Sequence, residues 1–176
     1  MSNLFEIKEL GDPVIRKISE PVKNIDSSEI RNLIDDMTAT VKDANGVGLA
    51  APQIGISLRI FIIDSQPNER YPNAPKFGPL AMINPKIISK GESKEKEWEG
   101  CLSIPGIRGH VARYKSLEVE YYTRDGKHHR EKLDGFPAKV FQHELDHLDG
   151  IVFLDRLCSM NDVVTEKEFA KMMKSA

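Results

Sequence analysis

QHELDHLDG (Gln142 to Gly150) carries two of the chain's five histidines, one helical turn apart, with acids between and around them. Pro137 can open a helix in its first turn and Gly150 can close it. On such a helix, at about 100° per residue, His147 lies about 40° from His143, Val140 about 60° and Glu144 about 100°, all on one side. Phe141, Leu145 and Leu148 fall on the opposite side. The helix therefore has an apolar back for a core and a front that carries chemistry. Two imidazoles one turn apart can converge on one cation, and the glutamate between them is displaced enough to miss the metal and reach a water beside it. This is the H-E-x-x-H logic. The competing interpretation is a charged helix surface whose histidines pair with acids.

A third ligand decides between the two. The extended form H-E-x-x-H-x-x-G-x-x-H has its glycine in Gly150, but Phe153 stands where the third histidine would be, and no histidine follows His147. Glu166 or Glu168, about twenty residues downstream, offers another route, although EKEFAKMMK reads more simply as an amphipathic or solvated helix. Cys101, in WEGCLSIPG, is the remaining candidate. A lone cysteine is by default a small core hydrophobe. A thiolate joined to two imidazoles would instead leave one tetrahedral position open, as a catalytic site requires, whereas His110 in that position would make the metal structural. Upstream, the small residues of GVGLAAPQIG (Gly46 to Gly55) would let a bound chain lie against the backbone, and Gln53 adds an amide donor. By itself such a segment is also ordinary loop material.

With 176 residues, 40% of them hydrophobic, the chain can bury a core in one domain spanning residues 1–176. The formal charge of −2 comes from interspersed acids and bases, which argues against a specific nucleic-acid partner. No run of about 18 apolar residues exists and the N-terminal segment is too charged for a signal region, so a soluble cytoplasmic protein without a membrane role is expected. Cys101 and Cys158 are too few for a disulfide framework, leaving at least one free thiol. A helix is expected from Ser27 to Asp43, capped by Asp26 with Glu29 three residues on and stapled by Ile25 and Ile30. Its apolar face is Ile30, Leu33, Ile34, Met37 and Val41, and Asn45-Gly46 ends it. LRIFIID (Leu58 to Asp64), LAMINPKIIS (Leu80 to Ser89) and LEVEYYT (Leu117 to Thr123) read as strands, the last with Leu117, Val119 and Tyr121 on one face. RDGK turns the chain into a further strand ending near Leu133. Pro67 to Pro79 reads as a surface loop, Lys94 to Glu97 as a solvated face, and the chain from Asp162 as a mostly polar helix. Strands between flanking helices predict an α+β fold with mainly antiparallel pairing.

Gly46 to Gln53, Glu99 to Ser103 and His143 to His147 match, in order, the three motifs of the peptide deformylases, and the chain resembles that family over nearly its whole length. The resemblance implies antiparallel sheets surrounding a central helix with the third motif, with N-terminal and C-terminal helices. It implies a hydrolase that removes the formyl group from the N-terminal formylmethionine of nascent bacterial polypeptides and releases formate. Cys101, His143 and His147 would hold one divalent ion, ferrous iron, with zinc, nickel or cobalt able to substitute; the ligand types alone would suggest zinc. Glu144 would be the general base and then acid, while the Gln53 amide and the Leu102 backbone N–H would face the developing oxyanion. The peptide is expected along Val47, Gly48 and Gly100, with its methionine side chain near Val140 and Arg108 at the rim. Asp146 is expected to orient an arginine such as Arg113. A monomer is expected, and Lys167, Lys171 and Lys174 are candidates for a transient ribosome contact, with solvation the simpler alternative. Pro52, at a variable motif position, and the length of the Pro67 to Pro79 loop imply an entrance that differs among relatives.

Overall fold

LRIFIID is apolar without alternation from Ile60 to Ile63, and the strand it forms, β2 (Ile60–Ser65), is buried on both faces. Phe61 and Ile63 join a cluster with Phe141 and Leu148 of α2 (Phe136–Leu148). Ile60 and Ile62 join Ile34, Met37 and Val41 of α1 (Ser28–Asp43) on the other side. Covering both faces is what an unbroken apolar run requires. The computed structural model in which these contacts are seen describes residues 3–68, 71 and 73–175.

β2 belongs to a five-stranded sheet ordered β1-β2-β3-β6-β7, with β1 at Gly48–Ala50, β3 at Phe77–Lys90, β6 at Ser116–Tyr122 and β7 at His128–Asp134. A second sheet, β4-β5-β8, is made of Lys94–Cys101, Ile104–Tyr114 and Val163–Thr165, and α3 (Glu166–Ser175) follows directly. Every strand pair in both sheets is antiparallel. α2 packs on β1, β2, β3 and β7 of the first sheet and on β5 of the second. Phe61 meets Phe141 edge-on with ring centres 5.2 Å apart, a contact that fixes the back of α2 against the sheet. The architecture is α+β, as the element pattern predicts.

Several boundaries differ from expectation for local reasons. Ser27, not Asp26, caps α1: its backbone is extended and its Oγ accepts from the Ile30 N–H at 3.3 Å, which puts Glu29 one position early for a capping box. Within GVGLAAPQIG only Gly46 and Val47 are loop before β1, which is followed by a 3-10 turn over Ala51–Ile54 and closed by Gly55. Of the loop expected at Pro67 to Pro79, Phe77 to Pro79 already belong to β3, while Glu69, Arg70 and Pro72, like Met1, Ser2 and Ala176 at the ends, lie outside the described residues. β3 absorbs Pro85 at a register shift between Ile83 and Lys86, where Asn84 turns to φ 51° and exchanges two hydrogen bonds with the Val22 backbone. Lys94 to Glu97 is indeed largely solvated, but as the first half of β4. The chain after Asp162 forms β8 before α3 begins at Glu166.

Candidate metal centre

His143, Glu144 and His147 are carried by the second half of α2, His147 in its last turn, and Cys101 is the last residue of β4. The β4–β5 ladder slips between Glu99 and Cys101, so that Cys101 pairs with Ile104 across the tight Leu102-Ser103 turn. That turn presents the thiol to α2. Cys101 Sγ lies 3.2 Å from His147 Nε2, although the two residues are 46 apart in the chain. One ligand atom from each of Cys101, His143 and His147 falls within 4.8 Å of the others. Ligand atoms around a tetrahedral ion with ordinary bond lengths sit roughly 3.3–3.6 Å apart, so the group is of the right size for a cation. Neither Glu166, Glu168 nor His110 joins it: Glu166 pairs with Arg108, Glu168 with Lys171, and His110 stacks on Trp98.

A buried chain of charges orients the front of α2. His143 Nδ1 is 2.8 Å from Glu99 Oε2, which directs Nε2 toward the cluster. Arg113 donates through Nε and Nη2 to the two oxygens of Glu99 at 2.7 and 3.0 Å, and through Nη1 to Asp146 at 2.6 Å. Asp146 also accepts twice from Arg156. The expected link between Asp146 and Arg113 is therefore present, with Glu99 completing it. The sequence gives Glu99 a place in the second motif but no role; its local signal is its position two residues before Cys101.

The electrostatics suit a cation. Burial pushes the Cys101 thiol up, but His147 and His143 outweigh it and bring the thiol down to about 5. Burial likewise lifts Glu99, and His143 with Arg113 reverses this to about 2. Burial disfavours charge on His143, yet Cys101 and Glu99 hold its pKa well above the ordinary imidazole value. The negative charge that would keep a proton on His143 is the charge a divalent ion would neutralise. Glu144 moves the other way, lifted to about 7 by burial against the opposing pull of both histidines. Its Oε2 is buried without a protein partner, as is His147 Nδ1.

A cleft lined by Cys101, His143 and Glu144 opens beside the cluster. Val47, Gly48, Gln53, Gly100, Leu102 and Val140 all line it, together with Tyr71, Trp98, Phe136 and Lys139, which the sequence did not single out. Gln53 is clamped: its Oε1 accepts from the Ala50 N–H at 2.8 Å, and its Nε2 donates to Ser103 Oγ at 3.1 Å while lying 3.5 Å from Cys101 Sγ. Gly48 has a reason beyond substrate access, because a Cβ there would stand 2.3 Å from Glu144 Oε1. Arg108 is neither at the rim nor solvated; its side chain is 4% exposed behind Gly100.

The sequence profile of the polypeptide deformylase family matches residues 4–163. A protein of a Nostoc species named peptide deformylase 2 is 49% identical over 170 residues, covering 97% of this chain and 95% of that one. The peptide deformylase of Thermotoga neapolitana is 38% identical over 98% of this chain and 99% of its own. Among solved structures, a class I type b peptide deformylase from Acinetobacter baumannii bound to Met-Ala-Ser superposes with a TM-score of 0.86 at 40% identity, covering 89% of this chain and 100% of that one. A deformylase from Synechococcus elongatus in complex with actinonin gives 0.80 at 39% identity over 90% and 81%. Since the profile's span encloses all three motif segments and the relatives align nearly end to end, the chain belongs to the polypeptide deformylase family.

Proposed function

We propose that residues 1–176 act as one catalytic domain, a metal-dependent hydrolase that removes the N-formyl group from the N-terminal formylmethionine of nascent polypeptides and releases formate. α2 is the central helix of that domain, and Cys101, His143 and His147 are its metal ligands. The observation that carries the reading is the meeting of Cys101 with both histidines beside the cleft, which Cys101, His143 and Glu144 line. The unpartnered Glu144 oxygen beside them supports a divalent ion with a reacting water nearby. Ferrous iron is the proposed ion, with zinc, nickel or cobalt able to replace it. When bound, the ion supplies Lewis acidity, which acidifies water and polarises a carbonyl.

The chain's own residues do the rest. Glu144 takes a proton from the water as its oxygen bonds to the formyl carbon, then delivers it to the nitrogen as the C–N bond breaks, leaving formate and a free amine. Gln53 Nε2, held by Ser103 and Ala50, and the Leu102 N–H donate to the carbonyl oxygen as charge develops there. Val47, Gly48 and Gly100 line the path of an extended peptide, and Val140 borders the site for the methionine side chain. The Met-Ala-Ser in the Acinetobacter relative supports that substrate class. The same reading has the enzyme working as a cytoplasmic monomer, with α3 and its lysines touching the ribosome transiently. No helix among the described residues is long and apolar enough to cross a membrane. Anaerobically prepared protein should release formate from formyl-Met-Ala-Ser; metal-loaded protein that leaves this peptide intact would refute the assignment.

A further inference from the structure

Arg108 projects from β5 to the back of the cleft wall, where two aromatic rings and an acid surround its guanidinium. The guanidinium carbon lies 5.0 Å from the centre of the Tyr71 ring and 5.3 Å from that of Phe169 on α3. Nε is 3.4 Å from Glu166 Oε1, also on α3. On a third side, the guanidinium presses on Gly100: a Cβ there would come within 2.7 Å of Arg108 Nη1. Tyr71 Oη in turn lies 3.4 Å from both the N and the O of Gly100. Phe169 reaches the wall a second time through Trp98, at 5.6 Å between ring centres, and Trp98 is backed by the stacked His110 ring. Tyr71, Trp98 and Gly100 line the cleft; Phe169 and Glu166 stand behind them. The placement is fixed by register, because β8 pairs with β5 with Val164 opposite Arg108, and α3 starts two residues later.

We propose that α3 is a positioning element for the substrate: Phe169 and Glu166 hold Arg108 against Gly100 and Tyr71, and so fix the wall along which the formylated peptide lies. The inference rests on the deformylase reading. A cation so deeply buried is stable there only with its ring faces and its acid in place, so loss of the clamp frees the guanidinium and with it the support of Gly100. α3 packs on β5 and β8, and its effect falls on substrate affinity while proton transfer at Glu144 stays intact.

Steady-state deformylation of formyl-Met-Ala-Ser by the metal-loaded full chain tests this. Phe169→Ala should raise KM about five- to tenfold, with kcat within about twofold and metal content unchanged. Phe169→Tyr, which keeps a ring over the guanidinium, should return KM to within about twofold of wild type. Glu166→Gln, which keeps the ring and removes the charge, should raise KM about two- to threefold and serves if the alanine variant folds poorly. KM values near wild type in both Phe169→Ala and Glu166→Gln, or a fall in kcat and metal content with KM unmoved, overturn the proposal. A wild type without deformylase activity overturns the underlying reading and this inference together; an active wild type with unmoved variants overturns the inference alone.

Discussion

Glu144 is adjacent to His143 in sequence, yet its carboxylate packs on Gly48, a residue of β1. Glu144→Gln keeps the shape and the neighbours but cannot accept a proton, so kcat should fall by about 10²–10⁴ while bound metal, measured by elemental analysis, stays near one ion per chain. Gly48→Ala would place a methyl 2.3 Å from Glu144 Oε1, and the carboxylate must move. Since misplacement by about an ångström can cost roughly a hundredfold, a similar fall in kcat with metal retained is expected; a Gly48→Ala enzyme of full activity would mean the carboxylate has room to spare. The two histidines and Glu144 were legible because helical periodicity brings them to one side without tertiary information. Cys101 was not legible in the same way, since nothing local distinguishes it from a packed thiol until the β4–β5 turn delivers it to α2. The second role of Gly48 lay equally out of reach, because only packing brings β1 to the helix.

α2 is held by more than its apolar back. Arg113 of β5 ties Glu99 of β4 to Asp146 of α2, and all three side chains are at least nine-tenths buried. Arg113→Met would leave two buried carboxylates with their shared cation gone, a change that typically costs about 3–5 kcal/mol. Tm should drop by about 10 °C in thermal denaturation, and affinity for the metal should weaken as Glu99, which orients the His143 ring, loses its own anchor. A smaller ion pair operates where Arg16, near the N-terminus, meets Asp155, whose Oδ2 also accepts from the Val152 N–H at 2.9 Å. Burial lifts the Asp155 carboxyl, but Arg16 and the Val152 N–H outweigh it and hold it below its ordinary value. A depressed folded pKa contributes stability above the unfolded value of about 3.9, and that contribution is lost as pH falls through the folded value. Asp155→Asn should therefore lower Tm by about 1–3 °C at neutral pH, and the gap from wild type should narrow as pH falls below the unfolded value and through the lower folded one. A gap of constant size would assign the loss to packing instead. The elements themselves were legible where one face is apolar, as in α1 and β6, or where the run is apolar throughout, as in β2. β4 and β5 escaped because the first opens with alternating lysine and glutamate that face solvent, and the second is interrupted by Gly106 and Gly109.

The cluster beside the cleft joins parts of the molecule that the sequence keeps apart. Cys101 comes from the three-stranded sheet, and the histidines from a helix that packs mainly on the five-stranded one. Element content made the α+β class readable in advance. The division into two sheets was not readable, because pairings such as β3 with β6 are decided by long-range register. For the same reason the ion should act as a cross-link in the folded chain. The unfolded chain cannot hold three donors this far apart in one geometry, so binding free energy becomes folding free energy. At a free concentration about a thousandfold above Kd this is about 4 kcal/mol, which corresponds to a rise in Tm of roughly 10 °C for a chain of this size. Removing the metal with a chelator should reverse that rise in the wild type. Cys101→Ala cuts the link between the sheets, so its Tm should respond far less to chelator, even though both histidines and the whole back of α2 remain. If chelation lowers the Tm of both proteins equally, the stabilising ion is held somewhere that does not involve the thiol, and the centre formed by residues 101, 143 and 147 is not the one that braces the fold.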